Sequence, residues 1–280
     1  MENRRMCPNC RAFITKGDRV CPYCGIQLGP RAVDLRATQF AASLVPRGNI
    51  TATVFLIVNA TLYLIELILS NRIFQTSFGT LNPGAAALMG STLPRVHYGL
   101  QWWRLITAGF LHLGLMHIAM NSWSLFILVT EAEEFYGPSR VVFTYIFSTF
   151  TGFLLSSIWS PNNLSAGASA ACFGYFGLML AMATRRRSDP LAQAVRSHYG
   201  QWLLFGLVLS ILPGVDLAAH VGGFVGGFVT GLVAGLPGLP NSPRETAWKI
   251  LAGAAIAVTV YAFWQDLLSY HALIRQLNGA

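Results

Sequence analysis

Charge is scarce in this sequence. Only 11% of its 280 residues are Asp, Glu, Lys or Arg, against 54% hydrophobic, and that balance excludes an ordinary soluble globular chain. No segment recurs with a period of about 20 to 50 residues, which excludes a solenoid. The start, MENRRMCPNCR, is polar and cysteine-bearing rather than apolar, so no secretory leader is expected and the first apolar segment is expected to act as the insertion signal. The net charge of +8 lies mainly in an N-terminal block and in the connections between apolar runs. That pattern follows the cytoplasmic bias of basic residues in membrane proteins, and no nucleic-acid partner is expected.

What the sequence has instead is a series of apolar runs of membrane length. A spanning helix needs about 20 mostly apolar residues, and the segments 51–70, 112–130, 141–159, 169–184, 200–213, 217–236 and 247–266 approach it. The fifth is short and is ended by Pro213 and Gly214. Between the first two, residues 71–111 carry Pro83, Gly84, Pro94 and the pair Trp102 and Trp103. This stretch reads as a partly buried segment at the membrane interface, anchored by its tryptophans. The expected fold class is an all-α polytopic membrane protein, a six-helix bundle plus one C-terminal transmembrane helix, preceded by a small metal-binding module. The expected domains are that module over 1–30, a basic linker over 31–49 ending near Pro46 and Gly48, a membrane core over 50–236, and a loop, seventh helix and tail over 237–280.

Orientation follows from the basic residues. Eight precede residue 50, and Arg140, Arg185, Arg186, Arg187, Arg196, Arg244 and Lys249 fall on the same side, leaving Arg72, Arg95, Arg104 and Arg275 on the other. The asymmetry predicts a multi-pass protein of the cell inner (plasma) membrane with its N-terminus cytoplasmic and its C-terminus outside. The lipid bilayer is its surrounding partner.

In that topology the second, fourth and sixth helices run inward from the outer face. Taking Glu131, Arg185 and Pro237 as their inner ends, His117, Ser169 and His220 stand roughly 21 to 26 Å above the inner edge of the hydrocarbon. A single Ser in a membrane helix commonly bonds its own i−4 carbonyl, but an intramembrane His is costly and is a functional candidate by default. Three such residues at one depth point to a site. Gly222, Gly223, Gly226, Gly227 and Gly231 give the sixth helix small faces, and Gly174 and Gly177 do so for the fourth. These faces suit close helix packing in any membrane protein, and here they would bring His220 within reach of Ser169.

The chemistry of such a pair is acyl transfer, because a serine hydroxyl is a weak nucleophile until an imidazole takes its proton. The fourth helix contains no acid, and the acid nearest to His220 is Asp216, so a dyad is expected rather than a triad. His117 and Asn121, spaced i, i+4 on one helix face, are candidate donors to an oxyanion, together with the backbone amides that open the fourth helix. Interhelical bonding is the alternative role for Asn121. Around Ser169 the sequence is GASAA, which lacks the second glycine of a soluble hydrolase elbow.

Four of the five cysteines form two CPxC knuckles, Cys7 with Cys10 and Cys21 with Cys24. Four thiolates at this spacing suit a tetrahedral structural zinc that would supply the module's folding energy. Iron at the same sulfurs and a redox dithiol are the rivals. Cys172, alone in the fourth helix, reads as a packing residue.

The motifs together resemble the rhomboid family. WRLITAGFLHLGLMHIAMN, residues 103–121, resembles its Trp-Arg loop followed by His112, His117 and Asn121; GAS at 167–169 resembles its nucleophile motif; AHVGGFVGG at 219–227 resembles its histidine helix; and Glu133 to Gly137 resembles its ExxxG turn. The resemblance implies a rhomboid-like intramembrane serine protease that cuts single-pass transmembrane protein substrates in or beside their membrane helix. It implies Ser169 as nucleophile, His220 as base, His117 and Asn121 as oxyanion donors, Phe173 packed on the histidine, and no cofactor for catalysis. Ala170 departs from the glycine that many members carry there. Competing functions are a catalytically silent rhomboid-like protein that holds membrane clients, and a transporter using the histidines as a proton path.

Overall fold

The structure, a computed structural model, describes residues 4–7, 9–15, 17–28, 50–77, 79–91, 96, 99–185, 189–239 and 242–277. The linker expected over 31–49 lies outside the described residues, as do Pro94, Arg95, Arg186 and Arg187. The chain divides into two compact units, Met1–Arg47 and Gly48–Ala280.

In the first unit, β1 (Arg4–Met6) and β2 (Phe13–Thr15) pair antiparallel with Arg5 opposite Ile14. Each knuckle closes on itself in the same way. The N–H of Arg11 donates to the Cys7 carbonyl and that of Gly25 to the Cys21 carbonyl, and both Arg11 (φ 58) and Gly25 (φ 70) adopt the left-handed conformation. The buried apolar set here is Cys7, Ile14, Cys21 and Leu28. So small a core does not hold a fold together unaided.

The second unit is helical. Its elements are α1 (Ile50–Phe74), α2 (Pro83–Leu88), α3 (Arg104–Thr107) with a 3₁₀ turn over Ala108–Phe110, α4 (Leu115–Trp159), α5 (Ser169–Arg185), α6 (Pro190–Leu209), α7 (Leu217–Ala234) and α8 (Pro243–Leu277). Among the described residues, Ile50–Phe74, Leu115–Trp159, Leu217–Ala234 and Pro243–His271 are long and apolar enough to cross a membrane, and Ser169–Thr184 is a shorter apolar helix. The fold is an all-α polytopic membrane protein, as expected from the apolar runs.

Helix α4 contains two of the expected spans. It breaks at Gly137, whose φ of 73° and ψ of 164° are open to glycine and costly for other residues, just ahead of Pro138. The first rod therefore runs from Leu115 to this break rather than over 112–130, and Glu131 does not mark its end. Glu131, taken as that end, instead accepts from Tyr199 of α6, and nearby Glu133 accepts from Thr51 of α1 at 2.9 Å. At the break, Arg140 makes a two-pronged ion pair with Glu245 of α8, 2.7 Å on each arm.

The helix at the fifth expected span is also displaced from expectation, covering Pro190–Leu209 rather than 200–213. Asp189 caps it by accepting from the Leu191 N–H at 2.9 Å, and Pro190 occupies its first turn. Gln193, Arg196 and His198 hide this start from a hydropathy reading, yet Arg196 is spent on the Ala183 carbonyl. Of the interface segment, residues 104–110 are all buried. Trp102 remains 44% exposed and stacks on Tyr261 of α8, while Trp103 packs into the core.

Candidate active site

The contact between α5 and α7 is made by main chain. A methyl group added at Gly227 would stand 1.8 Å from the Gly174 carbonyl oxygen, and one at Gly223 would stand 2.1 Å from that of Ala170. On its other side α7 meets α4, where a methyl at Gly222 would lie 2.5 Å from the Thr151 carbonyl oxygen. The small faces thus let three backbones touch. Ser169 opens α5 and His220 lies in the first turn of α7, next to the outermost of these contacts. Their side chains meet there, with His220 Nε2 2.8 Å from Ser169 Oγ.

The rest of the imidazole is enclosed. Phe173, one turn below Ser169, stacks on it with centroids 4.1 Å apart and planes 11° from parallel. Gly206 of α6 leaves room for that ring, since a methyl there would be 2.8 Å from Phe173 Cζ. The other nitrogen, Nδ1, lies 2.5 Å from Ser210 Oγ. Asp216 is occupied elsewhere: it caps α7 through the Ala219 N–H and accepts from Ser156 Oγ.

Opposite this pair stand His117 and Asn121. A Cβ on Gly167 (φ +137) would be 2.7 Å from His117 Nε2 and 3.3 Å from Asn121 Nδ2, so the turn before Ser169 passes directly over both side chains. The turn is pinned by the Gly167 N–H donating to the Ala108 carbonyl at 2.9 Å. His117 Nδ1 accepts the Leu113 N–H at 3.3 Å, which leaves the proton on Nε2, facing the turn. The Asn121 amide nitrogen is buried with no partner among the described residues. Such a donor is costly unless something fills the position it faces. His112 precedes α4 and packs edge-on against His117, with centroids 5.2 Å apart, while its N–H bonds Glu66 at 3.1 Å.

Residues 99–236 match the family model described as the Rhomboid domain. This chain carries a rhomboid domain. Its relatives include RHOMBOID-like protein 4 of Arabidopsis thaliana, 34% identical over 51% of this chain and 38% of that protein. The Rhomboid protease GluP of Bacillus subtilis is 33% identical over 44% of this chain and 24% of that protein. Rhomboid-like protease 3 of Toxoplasma gondii is 31% identical over 58% and 61%, respectively. The chain thus matches less than two thirds of the length of each of these relatives.

The rhomboid domain begins in the buried segment ahead of α4 and ends just after α7, and it contains Ser169, His220, His117 and Asn121. The break at Gly137 and the glycine contacts of α7 fall within it. Ala170 is accommodated rather than intrusive, its methyl filling the space beside Gly152 of α4. Ser210 of the rhomboid domain was not singled out from the sequence. Its signal there is faint, a serine just ahead of the helix-ending Pro213 and Gly214.

In the N-terminal unit, the four predicted cysteines converge, all Sγ atoms lying within 4.8 Å of one another. Cys7 to Cys24 and Cys10 to Cys21 are each 3.7 Å. Sulfurs at tetrahedral corners 2.3 Å from one zinc would be about 3.8 Å apart, so the set fits a single ion of that size. None is in a disulfide. A hydrogen bond from the Ile26 N–H is the largest influence drawing the Cys24 thiol down to about 6, and the Cys10 N–H lowers Cys7 in the same way. Against a hydrogen bond from the Ala12 N–H that lowers it, Cys10 is pushed the other way, up to about 12, by burial and the neighbouring cysteine side chains, so the two lowered thiols, Cys7 and Cys24, are the ones held toward thiolate. This four-cysteine cluster can hold a metal ion.

Proposed function

We propose that this chain is an intramembrane serine endopeptidase that cleaves single-pass membrane proteins in or near their transmembrane segment. The observation that carries this reading is the 2.8 Å contact between Ser169 Oγ and His220 Nε2 inside a bundle of apolar helices. Relatives named as rhomboid proteases support it.

In this reading Ser169 Oγ attacks the scissile carbonyl carbon while its proton passes to His220 Nε2. The carbonyl oxygen, now an anion, takes hydrogen bonds from His117 Nε2–H, the Asn121 amide and the Ser169 N–H, which as a first-turn amide has no helical partner. His220 then gives its proton to the departing amine. Water, deprotonated by the same nitrogen, hydrolyses the acyl-enzyme and restores Ser169. No cofactor takes part. The N-terminal module is read as a zinc ribbon, with Cys7, Cys10, Cys21 and Cys24 as ligands and a structural role. The chain is placed with its N-terminus cytoplasmic and its C-terminus outside on the distribution of basic residues.

Co-expression with a tagged single-pass reporter tests the reading. Wild type should release the reporter fragment, and Ser169→Ala and His220→Ala should each abolish release while remaining folded in the membrane. Cutting by either variant at the wild-type rate would overturn the assignment. Retention of an uncut reporter by wild type would favour a client-binding protein instead.

A further inference from the structure

We propose that Ser210 is a positioning residue that fixes the tautomer of His220, so that the base is part of a neutral Ser169, His220, Ser210 chain. This rests on the endopeptidase reading and extends it to a residue outside the expected dyad.

The argument is a count of protons. Ser210 Oγ makes two close contacts, to the Gly206 carbonyl oxygen at 2.6 Å and to His220 Nδ1 at 2.5 Å. A hydroxyl has one proton, and a carbonyl oxygen can only accept. The proton is therefore spent on Gly206, and the contact with Nδ1 is a hydrogen bond only if Nδ1 donates. An imidazole protonated at Nδ1 carries its lone pair on Nε2, the atom facing Ser169 Oγ. Both contacts of Ser210 and the contact at Ser169 are satisfied by this one arrangement. The opposite tautomer would set a bare Nδ1 against a hydroxyl oxygen whose proton points away, with both residues almost fully buried (2% and 6% exposed).

The geometry also assigns Ser210 a part in the reaction. When Nε2 takes the Ser169 proton, the Nδ1–H to Ser210 bond becomes charge-assisted and about twice as strong. Ser210 thereby does with a neutral oxygen what an acid does in a triad, while Asp216 is tied to Ser156 and the α7 cap. Ser210 closes α6, a helix separate from those bearing the nucleophile and the base.

The test uses the purified full chain in detergent and a fluorophosphonate probe, which reacts with an activated serine without any protein substrate. The rate of Ser169 modification and the thermal midpoint are measured for wild type, Ser169→Ala, Ser210→Ala, Ser210→Cys and Ser210→Thr. Ser210→Ala is expected to lower the modification rate about tenfold, the worth of one hydrogen bond strengthened by charge. Ser210→Cys keeps the shape but accepts poorly and should also be slow, whereas Ser210→Thr should regain most of the rate. A merely structural helix cap would lower the thermal midpoint and leave the rate per folded molecule unchanged. Wild-type rates in folded Ser210→Ala or Ser210→Cys would overturn the inference while leaving the nucleophile reading intact. A wild-type chain that the probe does not label at Ser169 would remove both.

Discussion

Arg104 and Asp266 meet at 3.2 Å with 1% and 5% of their side chains exposed. The guanidinium also donates to the Ala87 and Ser91 carbonyls and to Gln101, and the carboxylate packs so closely on Gly90 that a methyl there would overlap it. The last helix thereby grips the buried segment that leads into α4. Asp266→Ala should destabilise the folded protein by up to about 3 kcal/mol, because it removes the carboxylate facing a buried guanidinium that keeps its other acceptors, and replacing both residues with apolar ones should cost less than that. Thermal melts of the two single variants and the double variant check this; a loss below about 1 kcal/mol for Asp266→Ala would mean that the pair does not hold the segment.

His117 and Asn121 should act on the rate of the chemical step and not on substrate affinity. Neither touches the Ser169 to His220 hydrogen bond, and both face the turn at Gly167. If they are oxyanion donors, as proposed, removing one should lower kcat about 10² to 10³-fold with KM little changed. Kinetics of His117→Ala and Asn121→Ala in detergent decide the point, and a large rise in KM at constant kcat would assign these side chains to substrate binding.

A methyl group at Gly227 has nowhere to go, since the atom it meets is a main-chain oxygen. Gly227→Ala should therefore cost about 1 to 3 kcal/mol through overpacking and should reduce activity by parting Ser169 from His220. Gly253→Ala on α8, where nothing lies within 4 Å, is the matched control and should be neutral. Equal stability of the two variants would show that α5 and α7 can separate without penalty.

The N-terminal module should carry about one zinc per chain by elemental analysis, lost on replacing Cys7 and Cys10. Metal binding requires thiolates and releases their protons, so its affinity should fall as the pH is lowered. Cleavage of a reporter should survive the loss of metal. A folded, metal-free variant without activity would tie the module to the reaction.

Much of the helical order could be read from the sequence because apolar length and glycine spacing are local properties. The meeting of His220 with Ser169 was legible for the same reason: Gly223 and Gly227 advertise a backbone contact, and the polar residues stand beside it. The ends of the helices were less legible. Glu131 looks like the edge of a membrane, and only its partner Tyr199, distant in sequence, explains why the helix runs on to Gly137. The roles of Asp266 and Ser210 were hidden for a related reason. Each takes its meaning from a contact across the fold, Asp266 with Arg104 and Ser210 with His220, which a reading along the chain does not show.

The main-chain contact between α5 and α7 has a consequence for heat. Side chains change rotamer as temperature rises, but a distance set by two touching backbones changes only when the helices come apart. Ser169 and His220, the proposed nucleophile and base, should therefore stay in register up to the melting transition itself. Loss of the proposed activity on heating would then coincide with unfolding of the bundle, and protein cooled from just below that point would recover its full rate at once.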